Sequence, residues 1–89
     1  MSDRQDCLTV SNLNANIRNL LEGELSNIWV KGEISNFHHH SASGHMYFTL
    51  KDDASEIRCT MFRMNNLHLN FKPEEGMEVR LYSNVTVYE

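Results

Sequence analysis

Two strand-like runs, Trp29-Val-Lys-Gly-Glu-Ile-Ser-Asn-Phe37 and Ser43-Gly-His-Met-Tyr-Phe-Thr-Leu-Lys-Asp52, carry the side chains best suited to meet a ligand. Ile28, Val30 and Ile34 share one parity in the first run, and Met46, Phe48 and Leu50 share one in the second. Each run therefore has an apolar and a polar face. Lys31, Tyr47, Thr49 and Lys51 stand on the polar faces. Any base can stack on an aromatic ring, at about 1–3 kcal/mol per base, while Lys and Arg follow the phosphates, so this surface suits single-stranded nucleic acid. A third run adds Arg58 and, just after it, Arg63; within it Phe62 has the parity of Arg58 and Thr60, opposite to Ile57, Cys59 and Met61. Lys31, Tyr47, Lys51, Arg58 and Arg63 are the principal candidate contacts, and Phe37, His45 and Phe62 the secondary ones. An outer-face position and cover by the crossover are equally open for Phe62, and Trp29, also of outer parity, is expected beneath the N-terminal helix.

Other chemistries lack parts. His38, His39, His40 and His45 could gather zinc or nickel, but adjacent loop histidines point in different directions and no cysteine or carboxylate stands at ligand spacing, so no metal site is expected. The loop instead gains charge below neutral pH and then attracts phosphates. Asp52-Asp53 sits in a turn without a third acid, and Ser41, Ser43 and the histidines form no ordered triad, so no catalytic residue is assigned. Glycine occurs only singly, which excludes a phosphate-cradling loop, and no cofactor is expected.

The formal net charge is -4, which weighs against binding phosphates by charge alone. The acids gather at Asp52-Asp53, Glu74-Glu75 and Glu78, at or beside turns, whereas Lys31, Lys51, Arg58 and Arg63 fall on or just after strands. A basic face can survive locally. Cys7 and Cys59 have no metal-type spacing, and the chain shows neither a signal peptide nor a membrane-length apolar run, which points to a reduced, cytoplasmic setting without membrane contact. Cys59 is expected to be a buried core thiol.

These side chains must be positioned by a small barrel. Eighty-nine residues make one domain with a thin stability margin, and an apolar share of 40% argues against disorder. After a polar leader over residues 1–7, Leu13, Ile17, Leu20 and Leu21 predict a helix over 11–22, capped by Ser11 and ended by Gly23, that plugs one barrel end. Strands are predicted over 27–36, 45–51 and 55–62, with Gly32 marking a bend or bulge and Asp52-Asp53-Ala54-Ser55 a tight turn. Met64, Leu67 and Phe71 mark a short crossover that caps the barrel; Pro73-Glu-Glu-Gly76 is a turn, and a bent strand over 77–88 comes after it. The barrel is one strand short. Its open edge invites pairing or strand exchange with a second copy, and the chain reads as a fragment of a longer protein.

The segments WVKGEISNF, SGHMYFTLKD, IRCTMFR and PEEGMEVR, in this order, together with the leader LTVSNLNANIRNLLE, resemble the N-terminal domain of the exodeoxyribonuclease VII large subunit from Leu8 to Glu89. The resemblance implies an all-β, OB-fold-like Greek-key barrel with an N-terminal helix, truncated before its last strand. It also implies a function: gripping single-stranded DNA for an enzyme that degrades it to short oligonucleotides. The catalytic region of that family lies downstream, so this segment holds substrate without cutting it, and small helical subunits join through the absent region. Ser83-Asn84 stands where the family commonly has glycine and a basic residue, and the histidine run is unusual. The competing reading is a protein-interaction module, in which the open edge, Tyr82 and Tyr88 dock against the parent enzyme or its small subunits.

Overall fold

The computed structural model describes residues 7–87. Its elements are α1 (Val10–Glu24), β1 (Ile28–His39), β2 (Met46–Lys51), β3 (Glu56–Met61), α2 (Arg63–Asn66) and β4 (Glu78–Ser83). The strands form one antiparallel sheet in the order β3-β2-β1-β4, which is not closed among the described residues and has the arrangement of an OB-fold. The described residues divide into two compact units, Val30–Leu81 and a second made of residues 7–29 and 82–87. The expected leader over 1–7 falls almost wholly outside the described residues, as does Tyr88.

Within the Val30–Leu81 unit, β1 pairs with β2 and β2 with β3. The buried apolar residues are Ile34, Met46, Phe48 and Leu50, which come from the two central strands. Ile34, Leu50 and Ile57 stand opposite one another, as do Phe48 and Cys59, so they share the inner face. Burial falls off toward the edge strand β3: Ile57 is 51% exposed and Cys59 only half-buried, not the core thiol expected. Partial burial still pushes the Cys59 thiol up from its usual range.

Gly32 holds the first central strand close to the second. A Cβ there would lie 2.8 Å from Leu50 Cγ and 2.9 Å from the Lys51 carbonyl oxygen. The expected bulge lies elsewhere, at Asn36 (φ 53°), where the β1–β2 register slips between Ser35 and His38. Asparagine tolerates this left-handed backbone better than most side chains. The slip lengthens β1 through His39, three residues past the expected end at Asn36, and inverts the parity of the strand from Phe37 onward. The amides of Asn36 and Phe37 donate to the two carboxylate oxygens of Glu75, at 2.9 and 3.0 Å. The Phe37 and Asn36 amides hold the Glu75 carboxyl below the usual range. Ile34 exchanges backbone hydrogen bonds with the same turn, from its N–H to Met77 O and from Gly76 N–H to its own carbonyl.

In the other unit, Thr9, not Ser11, caps α1 by accepting from Asn12 N–H at 3.0 Å. Gly23 lies inside the helix and Leu25 is its C-cap. No residue of α1 is buried; Ile17 and Leu21 are half-buried, while Leu13 and Leu20 are exposed. Val85 N–H donates to Leu25 O, and Asn27 N–H to the Asn84 side-chain oxygen. The Ser83-Asn84 break thus ends β4, where a strand running to 88 was expected. Trp29 is not covered: it is 70% exposed, with its ring 5.2 Å from that of Tyr82.

Candidate nucleic-acid interface

The outer face of the three-stranded meander is organised in cross-strand rows. His38, Tyr47 and Thr60 form one row, Ser35, Thr49 and Arg58 the next, and Glu33, Lys51 and Glu56 the third. Tyr47 stands on the middle strand of the meander, in the row nearest the loop, and is 40% exposed, although Met46, Phe48, Thr49 and Leu50 around it are all buried. A large ring left in water on a strand otherwise packed to the core has the placement a base-stacking residue needs. Arg58 is exposed one row away, beside the buried Thr49.

The third row weakens one expected contact. Lys51 Nζ lies 3.7 Å from the Glu33 carboxylate, and Glu56 is its partner on the other side. Two acids beside one ammonium offset most of its pull on a phosphate. The acids therefore do not all retreat to turns, as the sequence suggested: Glu33 and Glu56 occupy the outer face itself. Lys31 is exposed on β1 toward this more acidic end.

The opposite end is built by the β1–β2 connection and the crossover. His40 N–H donates to His45 O at 2.9 Å and Gly44 N–H to His40 O at 2.8 Å. Gly44 has φ 76°, a backbone that favours glycine, and the Arg63 side chain lies where its Cβ would be, with Cδ 2.7 Å away. Arg63 N–H donates to His45 Nδ1 at 2.9 Å, and the Asn66 side-chain amide donates to Gly44 O at 2.8 Å. These bonds pin α2 against the loop. They place Phe62 beside His45, with ring centroids 5.2 Å apart and nearly perpendicular planes. Phe62 is exposed, so the crossover does not cover it, and Met64 and Leu67 of that segment are exposed as well.

The structure thus brings Tyr47, His45, Phe62, Arg58 and Arg63 to one end of the outer face and leaves Lys31 and Lys51 at the more acidic end. Phe37 is the exception. Past the bulge its ring lies 6.4 Å from that of buried Phe48, on the core side, so its outer-face placement is corrected. His38 and His40, left out of the candidate contacts, belong with them: their rings are 6.0 Å apart, and His40 lies 6.5 Å from Tyr47. The signal that could have found them is Asn36, an αL-tolerant residue in mid-strand followed by an apolar residue of the wrong parity. Among the described residues, no group of three or more His, Cys, Asp or Glu is placed to hold a metal ion, and no helix is long and apolar enough to cross a membrane.

A ring-bearing, cation-flanked face on an open antiparallel sheet agrees with what the chain is similar to. The sequence profile of the family described as OB-fold nucleic acid binding domain matches residues 8–89, nearly the whole chain. The chain belongs to the family of OB-fold nucleic acid binding domains.

Proposed function

We propose that this chain is the single-stranded DNA-gripping domain of an exodeoxyribonuclease VII large subunit, acting in the cytoplasm. It holds the strand while another region of that enzyme hydrolyses phosphodiester bonds, and the small subunits join elsewhere. The observation that carries the reading is the exposed Tyr47 ring on an otherwise packed strand in the middle of the meander, with Arg58 one row away and His45, Phe62 and Arg63 beside it. Rings favour unpaired bases, because a duplex keeps its base faces stacked on one another.

The test is fluorescence anisotropy of a labelled oligo-dT at low and moderate salt, with duplex DNA as control. Saturable, salt-sensitive binding to the single strand is expected, and Tyr47→Ala should weaken it about 5- to 150-fold, the equivalent of about 1–3 kcal/mol. Undiminished binding by folded Tyr47→Ala, or equal affinity for duplex, would count against the assignment.

A second reading is favoured by one observation: Trp29 and Tyr82 form an exposed ring pair in the other unit. In that reading the chain is a docking module for the rest of the enzyme or its small subunits. Charge reversal at Lys51 and Arg58 separates the two. It abolishes DNA binding and leaves assembly intact under the first reading, whereas under the second assembly depends on Trp29 and Tyr82.

A further inference from the structure

Five rings run in unbroken succession across the end of the outer face. Phe62 meets His45 at 5.2 Å, His45 meets Tyr47 at 6.4 Å, Tyr47 meets His40 at 6.5 Å and His40 meets His38 at 6.0 Å. All four contacts are edge-on. These steps exceed the about 3.4 Å rise between stacked bases. A strand following the row must therefore open its stack and give bases to rings separately, as single strands do.

Two imidazoles of the row are fixed in the same tautomer. The backbone N–H of Ser43 donates to His40 Nδ1 at 3.2 Å, and that of Arg63 donates to His45 Nδ1 at 2.9 Å. Each Nδ1 is an acceptor, so the neutral ring carries its hydrogen on Nε2. The Ser43 hydroxyl, 3.1 Å from His40 Nδ1, accepts in turn from His45 N–H. His40 and His45 are thus held in place by the loop backbone, while the His38 ring meets that of His40. The ring of His39 points elsewhere, with Nε2 donating to Gly44 O at 3.2 Å. The titratable and charged groups around the row are His38, His39 and His40 of β1 and the loop, His45 and Tyr47 of the loop and β2, and Arg63 of α2. To these Glu75 adds an acid, its carboxylate accepting from the Asn36 and Phe37 N–H groups next to His38.

Resting on the nucleic-acid reading of this face, we propose that His38 and His40 are ligand contacts extending the site beyond Tyr47, and that this imidazole end makes single-strand affinity rise as pH falls. A neutral imidazole stacks on a base. A protonated one adds a positive charge to a face on which Lys51 is offset by Glu33 and Glu56.

Oligo-dT anisotropy at about pH 8 and about pH 6 and constant ionic strength, on the 89-residue chain, separates stacking from charge. The parent chain should bind about fivefold more tightly at the lower pH, the factor for one added unit charge beside a phosphate in water. The double variant His38→Gln/His40→Gln should lose this response and bind at least about fivefold more weakly at the higher pH. His38→Phe/His40→Phe should keep the higher-pH affinity and lose only the response. A pH response surviving in both variants, or none in the parent chain, overturns the proposal and leaves the Tyr47 site standing. No binding at either pH overturns both.

Discussion

Gly32→Ala tests how closely β1 and β2 approach beneath the site. The new Cβ would lie 2.8 Å from Leu50 Cγ and 2.9 Å from the Lys51 carbonyl oxygen. Ordinary van der Waals contacts begin at 3.4 Å, so each neighbour must retreat by about half an ångström. Leu50 can turn, although it is buried. The Lys51 oxygen belongs to the backbone of a central strand and cannot move alone. Overpacking of this kind costs about 1–3 kcal/mol. Against it stands about 0.4–1 kcal/mol gained because alanine restricts the unfolded chain. With a backbone atom in the clash, overpacking outweighs that gain and leaves a net loss of about 1–2 kcal/mol. For a domain of this size that lowers Tm by about 4–16 °C. Gly23→Ala provides the control, because its Cβ would meet nothing within 4 Å inside α1. It should raise Tm, since helical glycine costs about 0.5–1 kcal/mol relative to alanine. Thermal unfolding by circular dichroism reads both. If Gly32→Ala matched or exceeded the parent Tm, the close approach of the two strands at this point would be wrong.

The Glu75 clamp, Arg58 and Phe37 each carry a further expected outcome. Glu75 is held below the usual range by the Phe37 and Asn36 amides; its stabilisation is therefore present above the ordinary glutamate value of about 4.3 and disappears as pH falls through the lower folded value. Glu75→Gln should melt below the parent at neutral pH, and a Tm series in acid should show the gap closing. Part of the acid sensitivity should persist, because Asp52, held low by the Ala54 and Ser55 amides, acts with the same sign. Arg58→Gln should weaken DNA binding equally for all sequences and reduce the slope of log K against log salt by about 1, read from an anisotropy salt series; an unchanged slope would remove Arg58 from the phosphate contacts. Phe37→Ala should lower Tm, because its ring packs against Phe48, and leave the oligo-dT affinity of the folded protein unchanged; weaker binding at full stability would return Phe37 to the outer face.

Alternation alone determined most of the central sheet. Ile34, Met46, Phe48 and Leu50 are apolar at period two, and these form the buried apolar core. Tyr47 is readable for the same reason, since a ring between Met46 and Phe48 must face the other way. The turn at Asp52 was likewise local chemistry, its side chain accepting from Ala54 and Ser55 N–H. Tertiary structure decided whatever depends on a distant partner. The Asn36 bulge is held by Glu75, 39 positions away, and it alone sends Phe37 inward and His38 to the side of Tyr47. Lys51 loses its pull on phosphate because register puts Glu33 and Glu56 beside it. His45 and Phe62 become neighbours only when Arg63 and Asn66 dock on the loop. Parity is a property of neighbours in sequence, and one inserted residue inverts it; pairing, and with it the surface that meets a ligand, is settled between strands.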